Sequence, residues 1–434
     1  MRRVLIASCL LILVPVAGVV AVRVPTADAG TSGVWSAAAN LITGREEHTA
    51  TLLQNGTVLV AGGTDGRGTA LAKAELYDPK TNRWVSAGTM TTTRLDHTAT
   101  LLRNGKVLVV GGLDTSIPSN TLASSEFYDP NTNRWSPAAS MRASRARQSA
   151  TALLDGRVLV VGGQTFTVRD AGLFTNQLLG AEVYDPVTNA WSSTAPMLQN
   201  RVGQSATLLQ DGRVLVAGGG DGQTSSSSAE IYDPKQDRWS AAAPMTTDRQ
   251  GHTATLLRSG DVLVTGGVNR QAQSPVTIAP FSSAEVYDPR INRWSAVARM
   301  AEARDEYTAT LLGDGRVLIV GGTGQSRAEV YDPNRNVWST TGGTMNRYLH
   351  TAMRLPDGRV LVAGGYGVES LDSALLYDPS ATAPVRRAPA NALVVGGLLL
   401  AGFVLLAAVA LLIPDVRRRL RRLRSPGGSE EWIN

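Results

Sequence analysis

The sequence predicts an all-β protein built as a seven-bladed β-propeller, and three observations carry that prediction. A paired glycine recurs at Gly62-Gly63, Gly111-Gly112, Gly162-Gly163, Gly218-Gly219, Gly266-Gly267, Gly321-Gly322 and Gly364-Gly365, with successive spacings of 49, 51, 56, 48, 55 and 43 residues. A period near 50 is that of a propeller blade, a sheet that buries its faces only when neighbours stack on it. Tyr-Asp-Pro recurs in step with the glycines, at Tyr77, Tyr128, Tyr184, Tyr232, Tyr287, Tyr331 and Tyr377. A β-branched run such as Val107-Leu108-Val109-Val110 stands directly ahead of each glycine pair.

Each unit reads as four short strands. In the second unit, residues 98–102 form the first, and Asn104-Gly105, a strong hairpin signal, turns the chain back into residues 106–110. A loop of variable length leads to the third strand, residues 125–128. Asp129-Pro130-Asn131 then turns the chain, the proline being unable to donate to a ladder, and Arg134-Trp135-Ser136 begins the fourth. The Gly-Gly pair is expected to let a neighbouring ring lie against bare backbone.

The Gly-Gly, Tyr-Asp-Pro and Trp pattern resembles the kelch repeat. His97-Thr98-Ala99-Thr100-Leu101-Leu102 and Asp155-Gly156-Arg157-Val158-Leu159-Val160 are similar to the variety found in the central domain of galactose oxidase and its bacterial relatives. The resemblance covers roughly residues 34–379 and implies the propeller fold. It says little about activity, because the family ranges from enzymes to adaptors.

The seventh unit has Tyr377-Asp378-Pro379 but no tryptophan after it, and Val34-Trp35-Ser36 precedes the first unit with no blade of its own. The N-terminal segment is therefore expected to supply the outer strand of the last blade and close the ring without a covalent bond.

The formal net charge of +6 is unevenly spread. The first 29 residues carry +2 and the residues from 386 onward carry +5, which leaves the propeller near −1 and removes the basis for a nucleic-acid partner. Arg2-Arg3, an apolar stretch over residues 4–22 and Ala27-Asp28-Ala29 read as a signal peptide over residues 1–29. Cleavage there removes Cys9, the one cysteine. An uncleaved signal anchor is the alternative, with the propeller on the same side. Residues 393–413 are 21 apolar residues, long enough to span a bilayer, and the transmembrane helix is placed over residues 390–413. The arginine-rich tail, residues 414–434, then belongs in the cytoplasm. The propeller itself occupies residues 30–385.

All four histidines, His48, His97, His252 and His350, fall at one repeat position, where the other blades have Gln148, Gln204 and Tyr307. That regularity reads as a structural polar group capping the inner strand, because a metal-ligand set would be irregular with respect to the repeat. The galactose-oxidase resemblance implies a Tyr-His pair among the copper ligands, with a further tyrosine crosslinked to cysteine. Here the matching pair is Leu349-His350, so copper-radical chemistry is not expected, and no catalytic constellation, metal or cofactor is assigned.

Every inner strand is preceded by Arg-x-x-(His/Gln/Tyr), at Arg45, Arg94, Arg145, Arg201, Arg249, Arg304 and Arg347. Two residues before six of the repeat tyrosines lies a glutamate (Glu75, Glu126, Glu182, Glu230, Glu285, Glu329), but Leu375 stands there in the last blade. The reading is a set of Arg-Glu pairs around one end of the channel, with surplus positive charge at Arg347 or Arg45 open to an anionic ligand. Between the glycines and the repeat tyrosine, blades 3 and 5 carry insertions that present Phe166, Arg169 and Phe174, and Arg270 and Phe281. Aromatic and arginine residues on long loops of a rigid scaffold point to a recognition surface. The expectation is thus a membrane-anchored, single-pass, extracytoplasmic module that binds a protein or glycan. A carbohydrate-active enzyme is the alternative, to be favoured by two carboxylates with a His or Tyr at the channel mouth.

Overall fold

The computed structural model describes residues 33–115, 120–169, 172–271, 279–324, 327–342 and 346–381. For residues 167–169 and 172–174 only the backbone is described. The expected signal peptide (1–29), transmembrane helix (390–413) and basic tail (414–434) lie outside these residues. Among the described residues no helix is long and apolar enough to cross a membrane.

Seven four-stranded antiparallel sheets form the blades. Blade 2 shows the pattern: Thr98–Leu101, Val107–Val110, Ser125–Asp129 and Arg134–Ala138 pair in sequence order. The second strand of every blade is buried along its whole length, as a β-branched run packed between two neighbouring sheets must be. Seven apolar clusters fill the spaces between blades. One joins Leu59 and Ala61 of blade 1 to Val107, Val109 and Tyr128 of blade 2.

The repeat tyrosine and tryptophan stand opposite each other on strands three and four, as with Tyr128 and Trp135. The Tyr128 ring is fully buried, 5.2 Å from that of Trp135, and its hydroxyl donates to Asn133 Oδ1 at 2.9 Å. Trp135 reaches back one blade, donating its indole N–H to the Ala87 carbonyl at 2.8 Å. Five other blade tryptophans make the same cross-blade bond, from Trp84 to Ala39 through Trp338 to Ala298.

The turn after the first strand differs from the two-residue hairpin that Asn104-Gly105 signals. Leu102 N–H donates to the Lys106 carbonyl and Gly105 N–H to the Leu102 carbonyl, so three residues form the loop. Gly105 takes φ 84°, and Asn104 Oδ1 accepts from Lys106 N–H. This is the three-residue loop closed by a left-handed glycine, and the Asn side chain favours it by mimicking a turn of backbone.

Closure follows the expected scheme. Val34–Ala37 pairs with Ala374–Asp378, setting Trp35 opposite Tyr377 with ring centroids 4.8 Å apart. Trp35 donates to Thr341 Oγ1 of blade 6 at 3.0 Å, and Gly33 lies so close to the Tyr377 ring that a side chain there would overlap it. Trp35→Ala should lower unfolding stability by about 3 kcal/mol, measured by denaturant titration, because it removes the aromatic that locks the last blade. An unchanged midpoint would contradict this mode of closure.

Candidate functional site

Each glycine pair is a junction between blades. Gly111 and Gly112 have φ 65° and 97°, and added Cβ atoms would lie 2.5 Å from the Arg145 and Leu95 carbonyl oxygens, respectively. Only glycine allows that approach. Gln148 of blade 3 packs over Gly111, as the imidazole of His97 packs over Gly62 and the Tyr307 ring over Gly266. The expected ring against bare backbone is therefore present, supplied by the next blade, with an amide in its place in blades 3 and 4.

The histidine position stitches blades together rather than capping its own strand. His97 Nε2 lies 3.0 Å from Thr49 Oγ1, His48 Nε2 2.9 Å from Thr351 Oγ1, His252 Nε2 2.9 Å from Ser205 Oγ and His350 Nε2 2.9 Å from Thr308 Oγ1. Thr49, Thr351 and Thr308 begin the inner strand of the preceding blade, and Ser205 lies within Val202–Leu208 of blade 4. Burial pushes the His97, His252 and His350 imidazoles down to about 3, and the nearby arginine adds to the effect. His48 is held well below its ordinary range, first by burial and then by Arg45.

The arginines lie inside the blades, not facing the channel. Arg94 is fully buried and donates Nη1 to the carbonyls of Gly111 (2.9 Å) and Ser124 (3.1 Å), and Nη2 to Glu126 Oε1 (2.8 Å). Glu126 also accepts the backbone N–H groups of Thr91 and Thr92, which lead into the blade. The six Arg-Glu pairs are 2.6–3.0 Å apart. The arginine backbone serves the other side: the second glycine's N–H donates to the next blade's arginine carbonyl at 2.8–3.0 Å in all seven junctions.

Arg45, expected to offer free charge, is fully buried and bonded to Glu75 at 2.6 Å, because the acid-free blade is blade 7 alone. Arg347 keeps the same pose, donating Nη1 to Gly364 and Ser373 carbonyls and Nη2 to Ser373 Oγ. No acid pairs with it among the described residues. Burial pushes its guanidinium down to about 10.

Above the glycines the inner hairpins continue as single bridges, including Glu46 with Thr64 and Tyr348 with Tyr366. The next residue in each blade, Glu47, Asp96, Arg147, Gly203, Gly251, Glu306 or Leu349, adopts φ between 52° and 71°. These seven residues form a collar at the channel mouth. Leu349 N–H donates to the Glu306 carbonyl, Glu47 to Leu349, Arg147 to Asp96 and Gly251 to Gly203. Five non-glycine residues in the left-handed region, each strained by about 1 kcal/mol, are held there by these bonds.

The collar's side chains are the open polar groups of this face. Arg147 Nε donates to Asp96 Oδ2 at 2.7 Å. Burial, Asp96, Glu46 and Glu306 together push the Glu47 carboxyl up to about 7, against the lowering pull of Arg147. Burial raises Glu306 as well, reinforced by Asp305 and opposed by Arg147 and Arg270. Tyr348 and Tyr366 stack obliquely, 5.4 Å apart, and Glu306 and Glu46 act on the Tyr348 phenol after burial and Tyr366. Two or more carboxylates with tyrosine thus do meet at the mouth. The signal in the sequence was the variable residue two places after each arginine, with glycine in blades 4 and 5.

Of the loop residues singled out from sequence, exposed Arg270 comes within electrostatic reach of this mouth. Phe281 is partly buried over the Arg249 guanidinium at 5.6 Å, and its N–H donates to Gly267. Blade 3's insertion is a hairpin, Gln164–Arg169 with Gly172–Gln177. Phe166 is fixed there by bonds to Thr121 of blade 2, and the Arg169 and Phe174 side chains lie outside the described set.

Residues 30–219 match the KLHDC2/KLHL20/DRC7 Kelch-repeats domain, and residues 203–246 and 254–301 match the Kelch motif. The chain is a kelch-repeat propeller. An F-box/kelch-repeat protein of Arabidopsis thaliana is 43% identical over 79 residues, which cover 18% of this chain and 16% of the plant protein. In fold, the kelch propeller is similar to a fungal alcohol oxidase of the AA5 family solved with copper (TM-score 0.66, 20% identity, 81% of this chain and 79% of that one). It is also similar to YjhT (TM-score 0.56, 14% identity, 70% of this chain and 99% of that one). At these identities the likeness concerns the fold. Among the described residues of this propeller, no group of three or more His, Cys, Asp or Glu is disposed to hold a metal.

The depressed histidines give a signed pH dependence. Between about pH 6.5 and 3 the unfolded chain protonates them while the fold keeps them neutral, so stability falls on acidification by up to about 1.4 kcal/mol per pH unit for each. Glu47, raised in the fold, works the other way, and its contribution is lost as pH rises through about 7. His97→Gln, the residue that blades 3 and 4 use, should flatten the acid limb of a melting-temperature profile by one proton. An identical slope would show that His97 is not buried neutral.

Proposed function

We propose that this protein is a membrane-anchored, extracytoplasmic recognition module that binds a glycan across its channel mouth. The observation that carries the reading is the gathering of the Tyr348-Tyr366 pair with Glu47, Glu306 and Arg147 on one face. Phenol rings pack against the C–H faces of sugars, while carboxylates and a guanidinium exchange hydrogen bonds with adjacent hydroxyls. The same face bears the long loops of blades 3 and 5. The opposite face is made of short turns, several of whose charged groups are paired, as in Asp155 with Arg157 at 2.8 Å. Acidic groups at the mouth and a propeller charge near −1 speak against a nucleic-acid partner.

Anchoring rests on the sequence: the apolar residues 393–413, followed by the arginine cluster from Arg417 to Arg424, place the propeller outside and the tail inside.

A copper-free carbohydrate-active enzyme is the second reading, favoured by the carboxylates and tyrosine that meet at the mouth. Glu47, poised at about 7 beside other carboxylates, has the protonation behaviour of a general acid-base. One set of measurements separates the two. The full-length protein on a glycan array should bind a subset of glycans, with affinity reduced at least about tenfold by Tyr366→Ala or Glu306→Gln. Intact cells should bind the same glycan while a tag after Asn434 stays protected from protease. Binding insensitive to both substitutions would overturn the placement of the site. Turnover of the bound glycan, abolished by Glu47→Gln, would favour the enzyme.

A further inference from the structure

The seven arginine seats differ in one respect that the mouth does not use. At the register position of Glu75, which faces Val60 and Ser86, blade 7 has Leu375 facing Val362 and Ala37. The guanidinium above it is nevertheless held in the common pose, bonded to Gly364 and Ser373. Neither the described neighbours of Arg347 nor the sequence at residues 343–345 provides an acid. A buried cation with neutral partners alone is an incomplete arrangement, since six copies of the same seat are completed by a carboxylate.

This seat is less tightly closed than the other six. Arg347 retains 6% exposure, whereas its six counterparts are at 0–1%, and Leu375 is partly exposed where the glutamates are buried. We propose that blade 7 carries a binding site for a small carboxylate ligand, whose carboxylate occupies at Arg347 the place that glutamate fills in the other blades. The planar two-oxygen group matches the fork of the guanidinium and its Ser373 Oγ neighbour. The site is separate from the glycan reading and does not depend on it.

Acetate serves as the probe, with the full-length protein in detergent. Its melting temperature should rise by about 2 °C in saturating sodium acetate relative to sodium chloride at equal ionic strength. Arg347→Met should abolish that difference. Leu375→Glu should abolish it too, while raising the melting temperature in chloride by supplying the acid from within. Equal behaviour in acetate and chloride, or an acetate response that survives Arg347→Met, would overturn the site. An equal response to phosphate would overturn its assignment to carboxylates.

Discussion

The fold depends on a buried arginine that holds two blades at once. Its carbonyl accepts the N–H of the preceding blade's second glycine, and its side chain ties its own second and third strands to a glutamate. That glutamate in turn accepts the amides that lead into the blade. Charge buried this deeply is costly unless it is paired, and the repeat supplies a carboxylate partner six times. The histidine belt and the tryptophan bonds add cross-blade links on either side of it. The result is a rigid rim on which the collar can be held in strained backbone.

Exceptions to the repeat are where chemistry becomes available. Glycine fills the collar in blades 4 and 5, whereas the others place charged or bulky groups in the same left-handed position. Blade 7 departs most, with Leu349 in the collar, the Tyr348-Tyr366 pair beside it and an arginine without its acid below. A repeat enforces sameness through packing, so departures from it at exposed or half-exposed positions have no packing reason to persist.

The blades, their four strands, the closure by Trp35 and the six ion pairs were legible in the sequence because each is a regular pattern in one dimension. The hairpin turn was legible only as two or three residues, since Asn-Gly serves both loop types and the choice is made by backbone twist. The free charge assigned to Arg45 failed for a topological reason: its partner Glu75 lies in its own blade, so the missing acid affects Arg347 alone. Phe281 read as a loop aromatic, yet packing on Arg249 gives it a structural task. The mouth was illegible because its residues come from all seven blades at positions defined by positive φ. Gly203 and Gly251 were the visible hint.

The central claim is that the buried acids hold the chain where it enters six of the seven blades. Hydrogen exchange of the Thr91 and Thr92 amides, which donate to Glu126, tests it most directly. The account predicts exchange as slow as that of Val107–Val110 in the buried strand, lost on Glu126→Gln. Exchange at the rate of the exposed turn residues Arg103 and Asn104 in the unaltered protein would contradict it.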